Sequence, residues 1–86
     1  MKVKLVAVLD SASGVYDGPA PVINEMLAMR NFTDMCTKNE KIKDHPGDFS
    51  LWLLGEYNDS TGEITTCAKK CLGYAVDLMN PNNEES

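Results

Sequence analysis

The sequence predicts an α+β fold, a small β-α-β-β-α domain in which a three-stranded sheet with an antiparallel hairpin packs against two helices. Three observations predict it. Residues 2–10 alternate in side chain and are rich in β-branched residues, the mark of a strand. Apolar residues recur at helical spacing between Asn24 and Lys38. From His45 to Ile64 the chain reads as a strand, a tight turn and a returning strand.

Lys2–Asp10 is the first strand. Val3, Leu5, Ala7 and Leu9 share one face; Lys2, Lys4, Val6, Val8 and Asp10 share the other. Ser11–Pro21 holds two glycines and two prolines, with Asp17-Gly18 inside, and reads as a loop. Within it Tyr16 either folds back over the core or presents an exposed aromatic ring to a ligand or base. The first helix runs from Asn24, a good N-cap, to about Lys38. Its apolar stripe is Met26, Met29, Phe32 and Cys36, with Ala28 and Met35 beside it, and core packing is its expected role. A methionine-lined partner groove is the alternative. Asn39–Asp48 is a polar loop that carries the single histidine, His45, beside Pro46-Gly47.

The hairpin strands are Phe49–Asn58 and Glu63–Cys67, joined by Asp59-Ser60-Thr61-Gly62. Gly62 can take the positive φ that such a turn demands. Alternation places Phe49, Leu51, Leu53 and Tyr57 on one face and Ser50, Trp52, Leu54 and Glu56 on the other. A second helix spans Lys69–Met79, with Leu72, Ala75, Val76 and Met79 at helical spacing, and Asn80-Pro81 stops it. Residues 1–79 form the domain; residues 80–86 form a flexible acidic tail. The first strand's position in the sheet is left open.

A chain of 86 residues has room for one domain. It buries only about 60–65% of its unfolded surface, so its core is modest. An apolar content of 43% argues against disorder. The net charge of −5, with Arg30 the single arginine, opposes tight sequence-independent nucleic-acid binding, which lysine and arginine drive by displacing counterions. No run of about 18 apolar residues exists to span a membrane, and no signal peptide is expected. Three cysteines, Cys36, Cys67 and Cys71, read as free thiols in a reducing cytoplasm.

Neither catalysis nor a cofactor is expected. No Gly-rich phosphate loop is present. Cys67 and Cys71, with Cys36 and His45 as the remaining soft donors, have no zinc-site spacing. The carboxylates fall mostly at strand ends and turns, where they solubilise edges. Two binding surfaces are readable instead. Val6, Val8, Trp52 and Leu54 together make an apolar patch on the second sheet face. Either the C-terminal helix or the 11–21 loop covers it, or it is a subunit interface. A nucleic-acid face would need Arg30, Lys2, Lys4, Lys69 and Lys70 to converge on Trp52. Alternation opposes it further by placing Trp52 and Tyr57 on opposite faces.

Residues 46–64 carry a resemblance. Pro46, Asp48, Phe49, Leu51, Gly55, Glu56, Tyr57, Asp59, Thr61 and Gly62 match the best-preserved segment of the small non-structural proteins of gokushoviruses, single-stranded DNA phages of the microvirus group. Leu54 and Asn58 depart from that pattern. Ala28-Met29-Arg30-Asn31-Phe32 looks like the family's Ala-x-Arg-x-Phe helix. The resemblance implies a phage accessory protein acting in genome replication or in single-stranded DNA packaging, in the host cytoplasm. Its implied partners are phage or host replication or packaging proteins and single-stranded DNA; the acidic charge and the apolar second sheet face add a second copy of the chain, as a dimer. It brings no catalytic residues with it.

Overall fold

A computed structural model describes residues 1–79. The elements are β1 (Lys2–Asp10), β2 (Val15–Val22), α1 (Glu25–Lys38), α2 (Glu40–Asp44), a 3-10 turn (Pro46–Asp48), β3 (Phe49–Asn58), β4 (Ile64–Tyr74) and α3 (Ala75–Met79). The four strands form one sheet in the order β2-β1-β3-β4, antiparallel throughout. β1 therefore lies inside the sheet, antiparallel to both neighbours. β2 and β3 run parallel to each other on either side of it, linked across it through α1. The expected acidic tail lies outside the described residues.

The α+β class holds, with a fourth strand. The segment expected as a loop after Ser11 is strand β2 from Val15 onward. Pro19 and Pro21 argue against a central strand, because proline donates no ladder hydrogen bond. An edge position tolerates them, and β2 pairs with β1 alone. The expected helix over Lys69–Met79 is strand as far as Tyr74, and only Ala75–Met79 turn helical. Long-range pairing along β3 outweighs the local helical spacing. The register slips between Leu51 and Trp52 and again between Leu53 and Gly55, which erases β4's period of two. The polar stretch 39–48 contains α2 and the 3-10 turn.

α1 begins as its sequence dictates. The Asn24 side chain accepts from the Leu27 N–H at 2.8 Å, and Glu25 sits in the first turn, where it meets the helix dipole favourably. Asn39 ends α1 and starts α2. Its N–H donates to the Met35 carbonyl at 2.8 Å, and its side chain accepts from the N–H groups of Lys41 and Ile42 at 2.9 and 3.3 Å. That double cap turns the chain sharply enough for Ile42 to reach the core. The buried face of α1 is Ala28, Phe32 and Cys36. Met26 and Met35, assigned by spacing to the apolar stripe, are 81% and 42% exposed.

The core lies between the helices and one sheet face. Val6 from β1, and Phe49, Leu51 and Leu53 from β3, meet Ala28, Phe32 and Cys36 of α1, Ile42 of α2 and Ala75 of α3. The sheet face expected to be bare was assigned Val6 and Val8. The structure reverses this: Val6 is buried in the core and Val8 packs against it, because Val6 pairs with Leu53 and Val8 with Leu51. Each pair shares a face.

Of the glycines, Gly55 has the closest neighbours. A Cβ there would run into the Thr65 carbonyl oxygen and close on the Thr66 Cα. Gly55→Ala is expected to destabilise the protein by about 1–3 kcal/mol, as overpacking does, measured by urea unfolding. Gly47→Ala, where a Cβ meets nothing within 4 Å, is the matched control and should shift the midpoint little.

Candidate functional site

The sheet face away from the helices is built by one extra residue in β3. Up to Leu5↔Gly55 the pairing with β1 is regular; from Val6↔Leu53 onward it is offset by one. Leu54 has no partner in β1. Such a bulge reverses which alternate residues face which side. Trp52 lies across from Ala7 and Tyr57 across from Val3, so both rings belong to the open face. The opposition read from simple alternation is thereby corrected.

Tyr16, across from Leu9, joins them. Its ring meets Trp52 edge to face, with centroids 6.5 Å apart and planes at 80°, a favoured aromatic geometry. Trp52 Nε1 donates to Ser50 Oγ at 2.8 Å, and Ser50 is itself buried. Lys69 of β4 donates to the Tyr16 hydroxyl at 3.2 Å and lies 4.9 Å from the ring centroid. Ala7, directly across from Trp52, is buried without belonging to the main core. The open face thus has a small aromatic roof of its own, joining β2, β3 and β4. Around it Val3, Leu5 and Leu9 are half-buried, and Ile64 and Tyr74 are exposed.

The charged residues distribute unevenly between the faces. Asp17 pairs across from Val8, and Glu56 and Asp10 pair with Lys4 and Phe49. The strand carboxylates therefore all fall on the helix side, and none is on the open face. The expected basic residues do not converge either. Lys4 binds Glu56 at 3.0 Å on the helix side, and Lys70 reaches Glu25 of α1 at 3.4 Å. Lys2, across from Asn58, shares the face of Lys4. Arg30 is exposed on α1. Among the five candidates only Lys69 accompanies Trp52. Leu54 is half-buried at the bulge, and Val6 and Val8 lie beneath the helices.

Alternation alone misplaces Tyr57, and it gives no face to Tyr16, which the sequence leaves between core packing and an exposed ring, or to Lys69. One signal for them was present: a glycine inside a strand, Gly55 after Leu54, marks a bulge or a close backbone approach, and here it marks both.

The Lys4–Glu56 pair sets the clearest titration behaviour. Hydrogen bonding and charge from Lys4 hold the Glu56 carboxyl below its ordinary range, and Glu56 in turn raises Lys4. At Asp10 burial pushes the carboxyl up, but the Ala12 N–H and Lys41 outweigh it and the net shift is downward. Burial raises the Cys36 thiol. All three cysteines are free, Cys67 is exposed, and among the described residues no three His, Cys, Asp or Glu side chains are grouped to hold a metal ion. No helix among the described residues is long and apolar enough to cross a membrane.

A family model described as Phage ORF5 protein matches residues 3–78. No curated protein and no solved structure matches the chain.

Two outcomes check this geometry. Cys67 is expected to react with a thiol reagent in the native protein, and Cys36 only after denaturant is added; equal native reactivity would contradict the placement of Cys36. The second concerns pH. The stability Glu56 contributes is present above its unfolded pKa and is lost as pH falls through its lowered folded value. That of Lys4 is present below its unfolded pKa and is lost as pH rises through its raised one. Lys4→Met is therefore expected to lower the urea midpoint near neutral pH, with the gap to wild type closing between about pH 5 and about pH 3.

Proposed function

The chain belongs to the phage ORF5 protein family, and from that membership we propose a non-structural accessory protein of gokushovirus-type single-stranded DNA phages. It acts in genome replication or packaging in the host cytoplasm, through protein–protein contacts that include self-association. It is proposed as a binding protein and not as an enzyme. One observation carries the contact surface: an apolar and aromatic sheet face, free of strand carboxylates, on a chain of net charge −5. A half-buried sheet face of this kind is covered in most domains by a second layer, and here the described helices all lie on the other side. Tyrosine and tryptophan on such a face suit a protein contact.

Leu5→Glu is the test, since Leu5 lies on that face across from Gly55 and Pro21. Wild type is expected to sediment as a dimer and the variant as a monomer with an unchanged circular dichroism spectrum. Phage carrying the variant should encapsidate fewer single-stranded genomes. A wild-type protein that stays monomeric at all concentrations would overturn self-association, and an unchanged genome yield would overturn the role of the face.

A second reading is direct binding of single-stranded DNA. The bulge favours it by setting Tyr57, Trp52, Tyr16 and Lys69 on one face, where bases stack on aromatic rings. A single lysine on that face opposes it, because phosphate contacts supply most non-specific affinity. Saturable quenching of Trp52 fluorescence by a short single strand, weakening steeply with salt, would move this reading ahead. No quenching at low salt would remove it.

A further inference from the structure

A second surface lies on the opposite side of the protein. α1 meets β2, β3 and β4, and a groove lined by residues of α1, β1 and β2 opens on this side of the sheet. One part, about 340 Å³, is floored by Val6 and Val22 and walled by Ala28 and Phe32. The next, about 390 Å³, ends at Ile42 and Phe49. Val8, Asp17 and Met35 line both, so the two parts adjoin at Asp17 and Met35; the first is mostly apolar, and the second is mixed, with Asp10, Ser13, Asn39 and Lys41 in its lining.

Three features define what would fill it. First, the occupant is apolar along one side, because the floor and wall of the first part are mainly aliphatic and aromatic. Met35, 42% exposed at the rim, is the flexible, polarizable side chain that adapts to apolar partners. Second, the occupant is basic. At the far end Asp10 is already neutralised by Lys41 at 3.4 Å. The Asp17 side chain has no hydrogen bond or ion pair among the described residues, and the chain as a whole carries −5. A second copy or another acidic segment brings the wrong charge. Third, the occupant does not extend the sheet. Pro19 and Pro21 remove donors from the β2 edge, so main-chain pairing of an added strand is interrupted there.

We infer that the α1–β2 groove docks a basic amphipathic helix of a partner protein, its apolar stripe in the trough and a lysine or arginine on Asp17. Helices recognised in this way anchor through residues at i, i+3, i+4 and i+7. The inference does not depend on the open face, and Leu5→Glu leaves the groove lining untouched.

The probe is a 14-residue helical peptide of leucine and lysine with leucines at that spacing, titrated into the 15N-labelled protein at physiological salt. A leucine–glutamate twin of the same pattern is the counterpart. Saturable shifts at Asp17, Val22, Ala28 and Met35 are expected with the lysine peptide and none with its twin. Asp17→Asn should weaken binding about three-fold, the scale of an exposed ion pair, whereas Glu63→Gln in the remote β3–β4 turn, which removes the same charge, should leave it unchanged. Met35→Lys should abolish it while preserving the spectrum of the fold. Equal weakening by Asp17→Asn and Glu63→Gln would mean charge attraction alone and would overturn the proposal. So would shifts confined to the Trp52 face, no saturable shifts, or shifts at the groove that grow with protein concentration without peptide, which would make a second copy the occupant.

Discussion

The extra residue at Leu54 in β3 is the constraint on which both surfaces of the protein depend. Upstream of it Phe49, Leu51 and Leu53 point toward the helices and supply much of the core. Downstream the alternation is reversed, and Tyr57 emerges on the side of Trp52. Without the bulge a strand with this sequence would bury Tyr57 and Gly55 on the helix side and lose the aromatic face. Gly55 follows from the same event. Bulges bend and twist a strand, β4 then passes close over β3 at Thr65 and Thr66, and only a residue without a side chain fits beneath it.

The two edges of the sheet reinforce this division. An open edge strand is a template for uncontrolled pairing. β2 is blunted by Pro19 and Pro21. β4 is long and exposed, but its two register shifts against β3 keep it from presenting an even row of donors and acceptors. A sheet with both edges blunted meets partners through side chains on its faces. Among the described residues, the open face and the α1–β2 groove are two places where apolar side chains remain accessible.

Much of the fold was legible where local signals and long-range pairing agree. β1, β3, the 59–62 turn and α1 with its Asn24 cap fall where the sequence places them, because alternation, turn chemistry and capping are local properties. Gly62 does adopt a positive φ, +80°. The failures share one cause. β2 hides behind prolines that an edge strand tolerates, and the second half of β4, beyond the predicted Glu63–Cys67, hides behind bulges that break its alternation, so that the helical spacing true from Ala75 onward reads as if it began at Lys69. Bulge positions are decided by the partner strand, so the face of Val6, Val8 and Tyr57 could not be read from any one strand alone. Gly55 was the only local trace of the event that set them.

Net charge also proved to be a property of the chain and not of each surface. A value of −5 argues against phosphate binding only if the charge is evenly spread, and it is not. The strand carboxylates lie on the helix side, where Asp10 and Glu56 are paired with lysines and Asp17 is not. Pairing leaves little field from the first two, whereas an unpaired carboxylate beside an apolar trough attracts a cation at low desolvation cost. On the open face the absence of strand carboxylates removes repulsion between copies that would otherwise repel through their net charge. The proposed association there would rest on burying Leu5, Leu9 and the aromatic rings and so survive added salt, while the proposed docking at Asp17 would weaken with salt.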